Sequence, residues 1–278
     1  MRTFLTILAA GTAFAATGAA AQDDTRPAFD GVYIGASGGY DVQGNDVGSS
    51  IRFDRNLDGR FTDTVTTTAG ANAFSPGFCN GRATSTANTA CVNDRDGWSY
   101  NARIGADTRL GNLAVGAVGE FGKSEITDSV SAFSTTPAWY TMTRSVDWEA
   151  NLRARAGYVA GESTLFYGTF GAGYARIDRS FTTSNGTNAF TERGKRNRFG
   201  TVAGGGVETM LGSNFSIGLE YLWHQYNDDD YRVRATQGTA PATTNPFILA
   251  PNTAGTDFRR SDDKFRWHSL RATAAFRF

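Results

Sequence analysis

The chain has 278 residues, with Lys+Arg and Asp+Glu balanced at 27 each and a hydrophobic content of 40%. That is enough for one sizeable domain, and the absence of net charge argues against a nucleic-acid partner. Glycine at 33 residues and aromatics at 13% stand beside only 6 Pro, 3 Met and 2 His, a composition that favours strands and turns and leaves few groups for acid–base or metal chemistry.

The opening residues show a basic Arg2, an apolar stretch from Phe4 and small residues ending at Ala19, Ala20 and Ala21 before Gln22-Asp23-Asp24. This pattern predicts a secretory signal peptide over 1–21, cut after Ala21, with 22–278 as one exported domain. The apolar run is too short and Ala-rich for a membrane anchor. Beyond it no segment of 18 or more apolar residues occurs, so no transmembrane helix is expected.

The rest of the chain is marked by alternation instead. In VYIGASGGY, Val32, Ile34, Ala36 and Tyr40 oppose Tyr33, Gly35, Ser37 and Gly39, the period of a strand with two different faces. A long connection then carries FDRNLDGRFTD, in which Asp54, Asn56, Asp58 and Gly59 reproduce the opening of a calcium-binding loop. Val65 stands where such a loop places its bidentate Glu, and no helical pattern flanks it. Two readings stand: a weak calcium site built from Asp54, Asn56, Asp58, the Arg60 carbonyl and Asp63, or an Asp-Gly turn at a hairpin tip flanked by Phe53 and Phe61. Further on, Cys79 and Cys91 are an even pair in an exported chain, for which a disulfide is the default.

The alternation resumes in WSYNARIGAD, with Trp98, Tyr100, Ala102, Ile104 and Ala106 on one face, and in LAVGAVGEFG, with Leu113, Val115, Ala117 and Phe121. It is clearest in WEANLRARAGY, where Trp148, Ala150, Leu152, Ala154, Ala156 and Tyr158 oppose Glu149, Asn151, Arg153, Arg155 and Gly157. LFYGTFGAGY, RFGTVAGGGVE, FSIGLEYLWHQY and SLRATAAFRF complete a set of eight strands. Connections are short at 109–112, 159–163 and 210–214 but long at roughly 43–96, 124–144, 178–197 and 227–263. Tight turns at one rim and long loops at the other predict an all-β, eight-stranded antiparallel up-and-down transmembrane barrel with short periplasmic turns and long extracellular loops. Aromatics at strand ends, among them Tyr40, Trp98, Phe121, Trp148, Tyr158 and Trp223, suit the headgroup layer. A soluble eight-stranded binding barrel is the alternative, and it has no need of the loop asymmetry.

FDGVYIGASGGY, WEANLRARAGYVAGESTLFYGTFGAGYARI, VAGGGVETMLGSNFSIGLEYLW and the closing SLRATAAFRF resemble the small outer-membrane β-barrel proteins of Gram-negative bacteria. The nearest groups are the OmpA-like transmembrane barrels and the opacity-type, porin-like surface antigens of alphaproteobacteria. The resemblance covers the mature chain and rests on patterns rather than invariant motifs. It implies an outer-membrane location, contact with outer-membrane lipid and lipopolysaccharide, and insertion by the barrel-assembly machinery, for which Arg271, Phe276 and Phe278 look like the terminal signal. Thr273 stands where that pattern often has Gly. The chain stops at Phe278, so barrel and loops alone are expected, without a peptidoglycan-binding domain.

Inward-facing charges are Arg103, Arg153, Arg155, Arg271 and Arg277 against Asp107, Glu120, Glu149, Glu208 and Glu220. A barrel of this size has room only for side chains, so charge pairs across the lumen and little conductance are expected; a narrow small-solute porin is the alternative. Catalysis is not expected, because strand parity sends His224 inward and His268 outward, and the adjacent Ser269 points away from His268. Function is expected in the loops, as a structural or surface-interaction role with an extracellular ligand. The stapled first loop, the Asn227–Asp230 run and an apolar PFILAP patch near Phe247, free to touch lipid or a partner, are its candidate elements.

Overall fold

The computed structural model describes residues 27–44, 48–89, 91–250 and 252–278, so the predicted signal segment 1–21 lies outside the described residues. Among these residues are 16 strands. They are β1 (Gly31–Val42), β2 (Ile51–Asp54), β3 (Gly77–Asn80), β4 (Arg82–Ala83), β5 (Cys91–Val92), β6 (Gly97–Leu110), β7 (Leu113–Ser124) and β8 (Thr127–Ser134). The rest are β9 (Ala138–Ala160), β10 (Thr164–Thr183), β11 (Asn188–Arg193), β12 (Asn197–Leu211), β13 (Phe215–Asn227), β14 (Arg232–Gln237), β15 (Thr256–Arg260) and β16 (Lys264–Arg277).

Eight of them form the barrel in the order β10-β12-β13-β16-β1-β6-β7-β9, and pairing of β9 with β10 closes the ring. Every pairing is antiparallel, and the seam sets the first strand against the last, with Tyr33 opposite Arg277 and Ala36 opposite Ala274. Closure removes the edge strands that lipid cannot hydrogen-bond. At each short turn a glycine, Gly111, Gly161 or Gly212, adopts a positive φ that other residues reach only with strain.

The faces follow the alternation of the sequence. Ile104, Leu152, Phe166, Phe170, Leu219 and Leu270 project from the outer wall with more than half their surface exposed, whereas Arg103, Arg153, Tyr167, Glu220 and Arg271 are buried in the lumen. Inward glycines make room for large rings: a Cβ on Gly105 would lie 2.3 Å from the Tyr33 ring, and one on Gly173 would collide with Tyr226.

The connections expected as loops at 124–144 and 178–197 are largely strand. β9 has 23 residues and β10 has 20, whereas a tilted membrane crossing needs only about 9–11, so both run on well past the bilayer. By the rule for such barrels this end faces the cell exterior. There β3 and β8 join the upper part of β9, while β11, β14, β15 and β2 form a second sheet. The two sheets share one core to which every long connection contributes, including Phe53 and Phe74, Tyr140 and Met142, Phe190, and Tyr231, Phe247 and Phe258. The extracellular region is thus a folded β cap with an aromatic interior.

Candidate functional site in the lumen and the cap

The lumen is filled in layers. Nearest the periplasmic end, Arg155 and Arg277 each bridge Asp107 and Glu208 at 2.5–2.9 Å, and the Arg277 guanidinium lies 4.4 Å from the centre of the Tyr33 ring. Above them Arg153 pairs with Glu120 at 2.8 Å and with Glu220 at 3.2 Å, while Arg103 sits 3.5 and 3.7 Å from the same two carboxylates. Tyr167 donates to Glu220 at 2.9 Å. In a third layer Arg271 stands 3.5 Å from Glu120, and Glu149 is 3.1 Å from His224. All ten charges named from the sequence therefore lie in the lumen, and all are buried. Glu149 departs from the expected Arg–carboxylate scheme, since the basic side chain within 4 Å of it is the His224 ring rather than an arginine.

The third layer also holds an arrangement that strand parity alone does not reveal. Ser269 Oγ lies 3.2 Å from His224 Nε2, whose Nδ1 faces Glu149, so serine, imidazole and carboxylate stand in the order of a hydrolytic relay. The Nδ1–Glu149 separation is short, but its direction misses a well-formed hydrogen bond. The group is enclosed, because Trp267 stacks flat on His224 at 4.7 Å and all of these side chains are buried. Their common inward parity was the available signal; the diagonal contact depends on a register in which Leu222 faces Ser269 and His224 faces Trp267. His268 is on the outer wall, hydrogen-bonded to Tyr221 at 2.6 Å.

Both mouths are stoppered. At the periplasmic end Phe29, Val159, Leu165 and Met210 pack with Tyr167. Toward the exterior Ile126, Val146, Ile177, Tyr226, Phe265 and Trp267 form an apolar plug.

Above the plug, a second charged cluster ties barrel to cap. Arg144 is its hub, bonded to Asp128 at 2.6 Å, Asp228 at 3.1 Å and Asp262 at 2.8 Å. Arg260 reaches Asp128 at 2.6 Å and Arg179 reaches Asp228 at 2.7 Å. Burial works against ionisation of Asp128, but Arg144 and Arg260 outweigh it and hold its carboxyl down at about 2. Asp228, read in the sequence as part of the polar Asn227–Asp230 run of the last long loop, is buried here.

In the first long connection, Cys79 and Cys91 are joined by a disulfide. The Asp54 carboxylate accepts the backbone N–H groups of Asp58 and Gly59, the Asn56 side-chain oxygen accepts that of Asp58, Asp58 accepts that of Arg60, and Asp63 accepts those of Arg55 and Asn56. These are the side-chain-to-backbone turns that Asp and Asn favour. Arg60 is exposed, and no group of three or more metal-ligating acidic, His or Cys side chains forms among the described residues. Phe53 and Phe61 are buried rather than merely flanking a tip. The PFILAP expectation is corrected in the same way: Phe247 and Ile248 lie in the cap core, with Phe247 5.3 Å from Phe258, because the cap supplies the apolar partner that the sequence left unassigned. At the chain's end Arg271 points inward, while Phe276 and Phe278 face out, with ring centres 5.2 Å apart.

No family model matches the chain. Over 128 residues, 46% of this chain and 53% of the relative, it is 29% identical to the 31 kDa outer-membrane immunogenic protein of Brucella melitensis, and the same figures hold for its counterpart in Brucella suis. The match spans about half the length of those relatives. Among solved structures, the outer membrane protein OprG of Pseudomonas aeruginosa is similar with a TM-score of 0.50 over 91% of this chain and 98% of OprG, at 13% identity, a likeness of fold alone. A closed antiparallel sheet with an apolar outer wall and a charged interior, this likeness of fold and the kinship to outer-membrane proteins identify the chain as an eight-stranded outer-membrane β-barrel protein.

Proposed function

We propose that the protein is a sealed, non-catalytic barrel that holds a folded β cap at the cell surface, in a structural and surface-interaction role. The observation that carries this reading is the filled lumen: paired charges occupy its length, and the plug around Trp267 and Phe265 lies between them and the exterior. A conducting path would require hydrated, weakly held charges along an open bore. Burial of Ser269 and His224 favours a structural part for the relay-like group, since a substrate has no approach to the hydroxyl.

The cap is the working surface in this reading. Loops packed on a shared core present a fixed relief to an extracellular ligand, which lowers the ordering cost of binding, and display at the surface accords with the name of the Brucella relatives, which calls them immunogenic. Lipid and lipopolysaccharide around the wall, and an assembly machinery reading Phe276 and Phe278, complete the proposed set of partners. Liposome swelling tests the reading against the small-solute porin: no entry of mono- or disaccharides is expected, and sugar-dependent swelling by the purified barrel would overturn it. Envelope permeability and host-protein binding, compared between intact cells and cells whose barrel lacks cap segments, then separate envelope support from adhesion.

A further inference from the structure

We propose that the outward-facing groove at the outer ends of β10, β12 and β13 binds the phosphorylated headgroup of an outer-leaflet lipid. Tyr174 and Phe199 are register partners on β10 and β12, with ring centres 4.7 Å apart, and Phe199 is 69% exposed. They end the lipid-facing rows that begin with Phe166 and Phe170 on β10 and with Val207 on β12, and so form an aromatic ledge at the height where amphipathic rings meet headgroups. The next outward position on β10 is Arg176, opposite Asn197 and about 7 Å farther from the bilayer centre along the strand. Lys195 and Arg196 complete the groove above the ledge, with the largely buried Arg198 behind them.

The cations are held loosely enough to be recruited. Arg176 Nε lies 3.4 Å from Asp147 and 4.0 Å from Asp178 without a well-formed hydrogen bond. Arg196 meets Asp178 at 3.2 Å, with both side chains substantially exposed. Arg198 is different: it is only 11% exposed and is held by Asp229 at 3.3 Å and by Asp230, so the recruitable cations are Arg176, Lys195 and Arg196. Lys195 has no ion pair among the described residues. Exposed pairs of this kind contribute little, whereas a phosphate offers Arg several acceptor oxygens at once and charge-assisted bonds. An acyl chain continuing down the Phe170 column would anchor the same molecule, a contact that free phosphate has no means of making.

The test uses the full barrel in zwitterionic nanodiscs, with bound lipid counted by native mass spectrometry. The probes are bisphosphorylated lipid A, dephosphorylated lipid A and inorganic phosphate. Wild type is expected to retain the bisphosphorylated lipid at least about tenfold better than the dephosphorylated one. That preference is expected to vanish in the R176Q/K195Q/R196Q variant, to fall measurably in K195Q, and to persist in K123Q, on the outer wall of β7. Folding of each variant is read from its heat-modifiable gel mobility; should the triple variant fail to fold, K195Q, exposed and outside any strand, decides. Equal retention of both lipids, a preference that survives in K195Q and the triple variant, or an equal loss in K123Q would overturn the proposal. So would displacement of the lipid by millimolar inorganic phosphate, or a loss of self-association rather than of lipid in the triple variant.

Discussion

Replacing Phe258 by Ala removes the ring at the centre of the cap. Phe258 is fully buried, and its ring lies 5.0 Å from that of Phe53, 5.3 Å from Phe247, 5.8 Å from Tyr140, 6.1 Å from Phe181 and 6.3 Å from Phe190, so it touches residues from all four long connections or their strands. A Phe-to-Ala truncation in such a site costs about 3–5 kcal/mol, which raises the open population by roughly two to four powers of ten. The loss should stay in the cap, because the Arg144 cluster and the Trp267 plug lie between this core and the charged lumen. Hydrogen exchange with peptide-level mass spectrometry reads both regions at once. Amides of β2, β14 and β15 are expected to exchange at least about a hundredfold faster in the variant, while those of β1, β6 and β16 within the barrel stay unchanged. Equal exchange of cap amides in wild type and variant, or an equal acceleration in the barrel strands, would refute the picture of a separately packed cap.

Three further outcomes are expected. Asp128 ionises at about 2 in the folded protein against an ordinary 3.8, so its stabilisation, of order 2 kcal/mol, is complete above pH about 4 and is lost as pH falls from about 4 to about 2; proteolysis of the cap by an acid-active protease should rise over that window in wild type, and D128N should be weakened at neutral pH with a flatter profile. Changing Glu120 to Gln leaves Arg103, Arg153 and Arg271 with one fewer carboxylate and should cost about 3–5 kcal/mol, seen as a lower urea midpoint of the heat-modifiable gel band in detergent, whereas unchanged stability would argue against a tightly packed lumen. Calorimetric titration with millimolar calcium is expected to give no saturable heat that depends on Asp58, because the side-chain oxygens of Asp54, Asn56, Asp58 and Asp63 already cap backbone N–H groups; a saturable heat lost in D58A would instead mark a cation site.

The barrel was legible in the sequence because its two environments differ sharply. Along WEANLRARAGY lipid asks for Leu152 and Ala154 where the lumen asks for Arg153 and Arg155, so period-two alternation survives intact. The cap was not legible, for two physical reasons. β8 is buried on both faces along nearly its whole length, and a strand covered on both sides loses its alternation. Its partner sheet also joins β11, β14, β15 and β2, strands that are distant in sequence. The available hint was the number of aromatics stranded in polar connections, Phe53, Phe74, Phe190, Phe247 and Phe258, which an exposed loop has no reason to keep. At the lumen, parity named all ten charges but left their partners open. Pairing Ser269 with His224, or Glu149 with His224 rather than an arginine, requires the relative register and rotation of strands on different parts of the ring, which a single strand's pattern does not contain.

The central claim, a lumen sealed by paired charges beneath an apolar plug, is tested most directly by single-channel recording of the purified barrel in planar bilayers. Wild type is expected to show no long-lived conductance, and W267A/F265A, which opens the plug while leaving the ion pairs in place, is expected to give at most brief, small events. Large, stable channels from the wild-type protein would contradict the account.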